Sequence, residues 1–365
     1  MRILMTTDTV GGVWTFTQEL ATGLLQRGCT LVLVSFGRSP SLAQQEWTEE
    51  ITRIWPNSFR YKASEAPLEW MRNNERAYSD AAPFLNEIAV EFRPNILLSS
   101  QYCFGALPLA IPKLLVAHSD VLSWAEFSQG GSLADSPWLR NYISLVQNGL
   151  AAADSVVAPT RWMLNALGAH FTLPSKTGVI PNGRTIVDGR PSPRKLQAVT
   201  AGRLWDEAKN IALLRHVQYP IPIFIAGEDR PTAAVAVPPN VNFTGALPAE
   251  DLHTLFRGSS IYICPSLYEP FGLAPLEAAL CGCAVLANDI PSLREVWQDG
   301  ALYFSGATEL TALLRQLSQN PQQLNAARWN SFRRAQSFSS ERMADSYLQL
   351  FRNALNRAHE AVYAA

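Results

Sequence analysis

Short runs rich in Val, Ile and Leu recur along the whole chain, and between them apolar residues fall at helical spacing. The strand-like runs are Arg2–Thr7, Thr30–Phe36, Asn95–Ser100, Leu114–His118, Ser155–Pro159, Ala198–Leu204, Ile221–Ala226, Val241–Thr244, Ile261–Pro265 and Ala284–Ala287. Val13, Phe16, Leu20 and Leu24 mark the first helical stretch. Continuously apolar strands alternating with helices imply parallel sheets covered on both faces, that is, a doubly wound α/β architecture. The pattern occurs twice, which predicts a first domain over 1–185 and a second over 197–340. The linker over 186–196 takes in nearly all of DGRPSPRKLQ, rich in Pro, Gly and charge. A last helix over 341–365 carries Met343, Tyr347, Leu350, Phe351 and Leu355 on one side. It needs an apolar surface to cover and is expected to pack back across the domains.

A chain of 365 residues with 47% hydrophobic content can bury two cores. Its net charge of -1 gives no footprint of a nucleic-acid binder. The cysteines at 29, 103, 264, 281 and 283 are odd in number and lie in apolar segments. They read as reduced, buried thiols of a cytoplasmic protein. Cys281-Gly282-Cys283 fits small residues between a helix and the next strand better than a metal site, since no second Cys/His pair completes four ligands. No apolar run approaches the roughly 18 residues needed to span a bilayer, which leaves at most peripheral contact at the inner face of a membrane.

Ligands of such sheets bind beyond the strand carboxyl ends, so the βα loops carry the functional signal. Gly11-Gly12 follows the first strand and opens a helix, where backbone N–H groups can meet an anion; a plain tight turn is the alternative. No two of the 21 glycines are two positions apart, which disfavours a dinucleotide fingerprint. A P-loop is absent as well. After the first strand of the second half, Arg203 and Lys209 can clamp a diphosphate, against the alternative of two solvated cations. PSLYEPFGLAPLEAALCGCAVLAND, residues 265–289, ends a strand, forms a loop with Glu269 and starts a helix near Gly272 and Leu273. Glu277 falls in the first turns of that helix. Cations and amides for phosphates, flanked by carboxylates for hydroxyls, match the chemistry of a nucleotide sugar. Alternatively, Glu277 serves the helix and Glu269 is a solvated loop charge.

The stretch 265–289 closely resembles the E-x7-E signature of retaining glycosyltransferases of the GT-B fold in family four, the glycogen-synthase-like group. VIPNG at 179–183, AGRLWDEAKN at 201–210, FIAGED at 224–229 and VNFTGAL at 241–247 fall in that family's order. The Gly11-Gly12 turn, LLVAHSD at 114–120 and ADSVVAPT at 153–160 match in the first half. The resemblance implies two Rossmann-like domains facing a central cleft, acceptor side first and donor side second. It implies that Glu269 binds donor-sugar hydroxyls, Glu277 holds the ribose, and Arg203 and Lys209 stabilise the leaving diphosphate. Gly11, Gly12 and the amides of Phe271, Gly272 and Leu273 would contact phosphate and sugar, and His118 would lie near the reaction centre. No D-x-D motif is present, in keeping with a metal-independent reaction without a cofactor, the donor being a substrate. The implied acceptor is a glycan, lipid or small molecule. A sugar-nucleotide epimerase or phosphorylase of this fold, and a non-catalytic binding protein, remain the alternatives.

Overall fold

The computed structural model describes residues 1–185, 194–215, 218–228 and 238–363, with side chains to 358. Residues 186–193, most of the expected linker, lie outside this range. Two compact units are present. One comprises Met1–Ser123, Ser132–Gly183 and Ser340–Ala365, the other Trp124–Gly131 and Arg184–Ser339.

In the first unit the described strands are β1 (Arg2–Asp8), β2 (Thr30–Phe36), β3 (Phe59–Ala63), β4 (Ile96–Ser99), β5 (Lys113–Val116), β6 (Ser155–Ala158) and β7 (Thr177–Val179). They form one parallel sheet in the order β3-β2-β1-β4-β5-β6-β7. Strand pleat sends alternate residues to opposite faces. Ile3, Met5, Leu31 and Leu33 accordingly join one core with Phe16, Leu20 and Leu24 of helix Gly12–Gln26. Leu4, Val32 and Val34 enter the other with Leu85 and Ile88 of helix Ala77–Phe92.

Helix Ser340–Tyr363 packs on this unit. Met343, Tyr347 and Phe351 complete the first core, and the Tyr347 ring lies 5.8 Å from that of Phe16. Arg27 Nε also meets the Asp345 carboxylate at 2.6 Å. A fully buried aromatic contributes about 1.5–3 kcal/mol, whereas an exposed ion pair is worth under ~1 kcal/mol. The apolar stripe therefore holds the helix.

In the second unit β8 (Lys195–Ala201), β9 (Ile223–Ala226), β10 (Val241–Gly245), β11 (Ser259–Cys264), β12 (Ala284–Asn288) and β13 (Ala301–Phe304) form a parallel sheet in the order β10-β9-β8-β11-β12-β13. Ile223, Ile225, Ile261 and Ile263 face one core, and Val199, Tyr262 and Val285 the other. Every expected run holds a strand, with ends shifted by as many as three residues. β3, β7 and β13 are absent from the expected runs, and all three are sheet edges.

Strand order reverses between β1 and β4 in one sheet and between β8 and β11 in the other. At such points the flanking βα loops diverge and leave a crevice beyond the strand carboxyl ends. Among the described residues, no helix is long and apolar enough to cross a membrane. All five cysteines are buried and free.

Candidate active site

β8 and β11 are neighbours at the second switch point, so the loops following them lie side by side although about 60 residues separate them in sequence. The first loop carries Arg203 and ends in a short 3₁₀ turn, Glu207–Lys209. Asp206 caps that turn, its carboxylate accepting the Ala208 N–H at 3.1 Å. The same carboxylate takes Arg203 Nη2 at 2.7 Å and the indole N–H of Trp124 at 3.1 Å. Arg203 is thereby aimed rather than free, although its side chain stays 44% exposed. Two hydrogen bonds bind the loops together: the Leu267 backbone N–H donates to Ala208 O at 2.8 Å, and the Asn210 side-chain Nδ2 to Pro265 O at 3.1 Å.

In this frame the Lys209 ammonium pairs with the Glu269 carboxylate. Ser266 Oγ donates to the same Glu269 oxygen at 3.2 Å. Lys209 and Glu269 are mostly buried, at 21% and 12% side-chain exposure, so this is no solvated surface pair. An ammonium offers three N–H donors; Glu269 engages Lys209, and further donors remain for an incoming anion.

Helix Leu273–Leu280 begins after Gly272, whose φ of 90° and ψ of 82° suit glycine. A Cβ there would also lie 2.8 Å from Pro275 Cγ. The first turn of the helix holds no acidic residue, so its positive end is not neutralised from within. Phe271 is 3% exposed and packs edge-on against Phe338 at 5.3 Å, which leaves only its backbone for a ligand. Gly272→Ala should lower stability by about 1–3 kcal/mol through φ strain and the Pro275 clash, read as a lower urea midpoint with an unchanged slope. An unchanged midpoint would contradict this geometry.

Glu277 is itself buried. Arg184 Nε meets its Oε1 at 2.7 Å and His253 Nε2 its Oε2 at 3.5 Å. Burial alone would push this carboxyl up. The His253 hydrogen bond and the Arg184 guanidinium outweigh burial and hold it below the usual glutamate range. Glu277 is therefore a fixed carboxylate with partners on both oxygens. Sequence reasoning missed Arg184, His253 and Asp206; Arg184 directly follows VIPNG and Asp206 lies inside AGRLWDEAKN, whereas His253 had no visible signal.

The first unit presents its own residues at its own switch point. Gly11 is the N-cap of helix Gly12–Gln26, at φ 66° and ψ -142°, a conformation open essentially to glycine alone. Asp8 Oδ1 accepts the Val10 N–H at 2.8 Å and fixes the turn. His118 follows β5, within hydrogen-bond distance of Ser100 Oγ at 3.2 Å. Its ring meets that of Phe16, on the helix that Gly12 opens, at 4.5 Å. Burial lowers the His118 imidazole to about 3, so it is neutral near pH 7. Arg203, Lys209 and Glu269 form one cluster and Phe271, Gly272, Leu273 and Glu277 one helix start; Gly11, Gly12 and His118 belong to the other unit.

Two parallel doubly wound units with loop sites of this kind define the GT-B class. Residues 10–188 match the family model described as Glycosyltransferase Family 4, and residues 208–334 that of Glycosyl transferases group 1. The chain belongs to the family-four glycosyltransferases of the GT-B fold. It is 27% identical over 231 residues to alpha-maltose-1-phosphate synthase of Mycobacterium tuberculosis, covering 54% of this chain and 58% of that protein. It is 49% identical over 59 residues to the serotype-specific mannosyltransferase WbdA of Escherichia coli, covering 16% of this chain and 7% of that one. These matches thus span less than two thirds of each relative. Sucrose-phosphate synthase from Thermosynechococcus elongatus has the same fold, with a TM-score of 0.74 over 97% of this chain and 98% of that one at 17% identity. Anabaena HepE, solved with UDP and glucose, gives a TM-score of 0.69 over 97% and 100% at 16% identity.

Proposed function

We propose that the protein is a retaining, metal-independent glycosyltransferase. It would move a sugar from a nucleoside-diphosphate sugar to a hydroxyl of a glycan, lipid or small molecule. The observation that carries this reading is the Lys209–Glu269 pair beside Asp206-held Arg203 at a switch point of a parallel sheet. Arg203, Lys209 and the start of helix Leu273–Leu280 meet the diphosphate, Glu269 the sugar hydroxyls and Glu277 the ribose. In the first unit Gly11 and Gly12 offer backbone N–H groups, and neutral His118 serves as a hydrogen-bonding group near the sugar. The division into an acceptor-side domain over 1–185 and a donor-side domain over 197–340 is part of the same reading. So is a cytoplasmic setting, in which five free thiols stay reduced.

In the reaction the bond from the anomeric carbon to the β-phosphate oxygen breaks. The acceptor oxygen bonds to the same face of the sugar, and its proton passes to the departing phosphate. Negative charge grows on the diphosphate as the bond breaks. Fixed cations and a helix end stabilise that charge without reorganising and supply the positive field this step needs.

Calorimetric titration with UDP-, GDP- and ADP-sugars tests the reading. One donor is expected to bind the wild type, and Glu277→Ala should weaken it at least tenfold through loss of a charge-assisted hydrogen bond. Binding of no nucleotide sugar, or equal affinity for the folded variant, would overturn the assignment.

A further inference from the structure

At the amino ends of β8 and β11, opposite the strand carboxyl ends, lies a cavity of about 260 Å³. Arg194 and Arg328 line it together with Ser318, Pro321 and Asn325. Neither arginine has an anionic partner among the described residues. Arg194 donates to the carbonyls of Ser259 and Cys281, and Arg328 to the Gly282 carbonyl at 2.9 Å and to Asn325 Oδ1 at 3.0 Å. A helix end carries only about half a unit of negative charge, so these contacts leave both guanidiniums largely uncompensated. Each has five N–H donors, more than the contacts named here engage among the described residues.

Among the described residues the neighbouring helix does not supply the missing charge. Helix Pro321–Ala335 holds Arg328, Arg333 and Arg334 and no Asp or Glu, in a chain of net charge -1. Burial, and to a lesser degree the charge of Arg194, lowers Arg328 below the usual arginine range. Like charges sharing one small cavity are unfavourable until an anion joins them. Two planar forks match phosphate oxygens bidentately.

We propose that this cavity is a phosphate-binding site, separate from the donor loops and sized for inorganic phosphate or a small phosphomonoester. It does not depend on the donor-site reading. The test uses the Arg203→Gln, Lys209→Gln double variant, which removes the donor-loop cations. In it, ³¹P NMR line broadening of inorganic phosphate and of glycerol phosphate, each titrated at constant ionic strength, should show saturable binding. Binding of glycerol phosphate alone would identify a phosphomonoester site, and binding of both a site for the phosphate group itself. Adding Asn325→Asp sets a carboxylate against Arg328 at an exposed position and should weaken binding at least tenfold. Ser318→Asp is a second route to the same neutralisation. Absence of saturable binding in the double variant, or the same affinity with either aspartate present, would overturn the proposal.

Discussion

Lys209→Ala is expected to lower kcat by about 10²–10³-fold, with Arg203→Ala close behind at about 10²-fold. The two cations differ in how they are held. Lys209 sits among mostly buried groups, where its charge is screened little by water. Arg203 is nearly half exposed but is fixed by Asp206, which Trp124 and the Ala208 N–H fix in turn. Loss of either removes a charge that acts most strongly when the diphosphate departs, so kcat should fall more than KM rises. Lys209→Arg should not restore the rate, because a planar fork cannot take the place of a point charge against Glu269. Steady-state transfer assays with saturating donor measure this directly. A kcat within threefold of wild type for Lys209→Ala would remove the residue from the reaction.

The sequence signals that worked and those that failed share one cause. Central strands such as Thr30–Phe36 are covered on both faces and read as unbroken apolar runs. β3 reads Phe59-Arg60-Tyr61-Lys62-Ala63, with one fully buried residue, because an edge strand of this sheet is only half covered. Its alternation of Phe59, Tyr61 and Ala63 with Arg60 and Lys62 is the mark of a half-covered strand, which a reading built on unbroken apolar runs passes over. The site divides the same way. Glu269, Lys209 and Arg203 stand out because strand ends can be located from apolar runs and ligands collect there. His253 acts on Glu277, far from it in sequence, and spacing holds no record of a contact made only after the strands order. Asp206 stands three residues from Arg203, its partner, and only its contact with Trp124 is distant.

Glu69→Gln is expected to stabilise the protein by up to about 3 kcal/mol at pH 8 and to change it little near pH 4.5. Glu69 lies at 3% exposure between β3 and β4, with no cation paired to it among the described residues. Its Oε1 accepts the Tyr102 N–H at 2.8 Å, and Cys103 Sγ stands 3.5 Å from Oε2. Burial drives the Glu69 carboxyl up to about 7, further raised by the charge of Asp8 and only partly offset by the Tyr102 and Cys103 hydrogen bonds. Burial and the Glu69 carboxylate also push the Cys103 thiol well up, so it stays protonated as a donor. The folded value lies above the ordinary glutamate value of about 4.3, so the fold favours the protonated acid. The stability this group contributes is present in full below that value and is lost as pH rises to about 7, after which the loss is constant. A glutamine keeps the oxygen that Tyr102 needs and never ionises, so the penalty disappears above pH 7. Melting temperatures of wild type and variant from pH 4.5 to 8 isolate the effect, since all other titrations are common to both. The gap should widen by roughly 5–10 °C with rising pH for a unit of this size. A gap independent of pH would show that Glu69 is not an ionising burden on the fold.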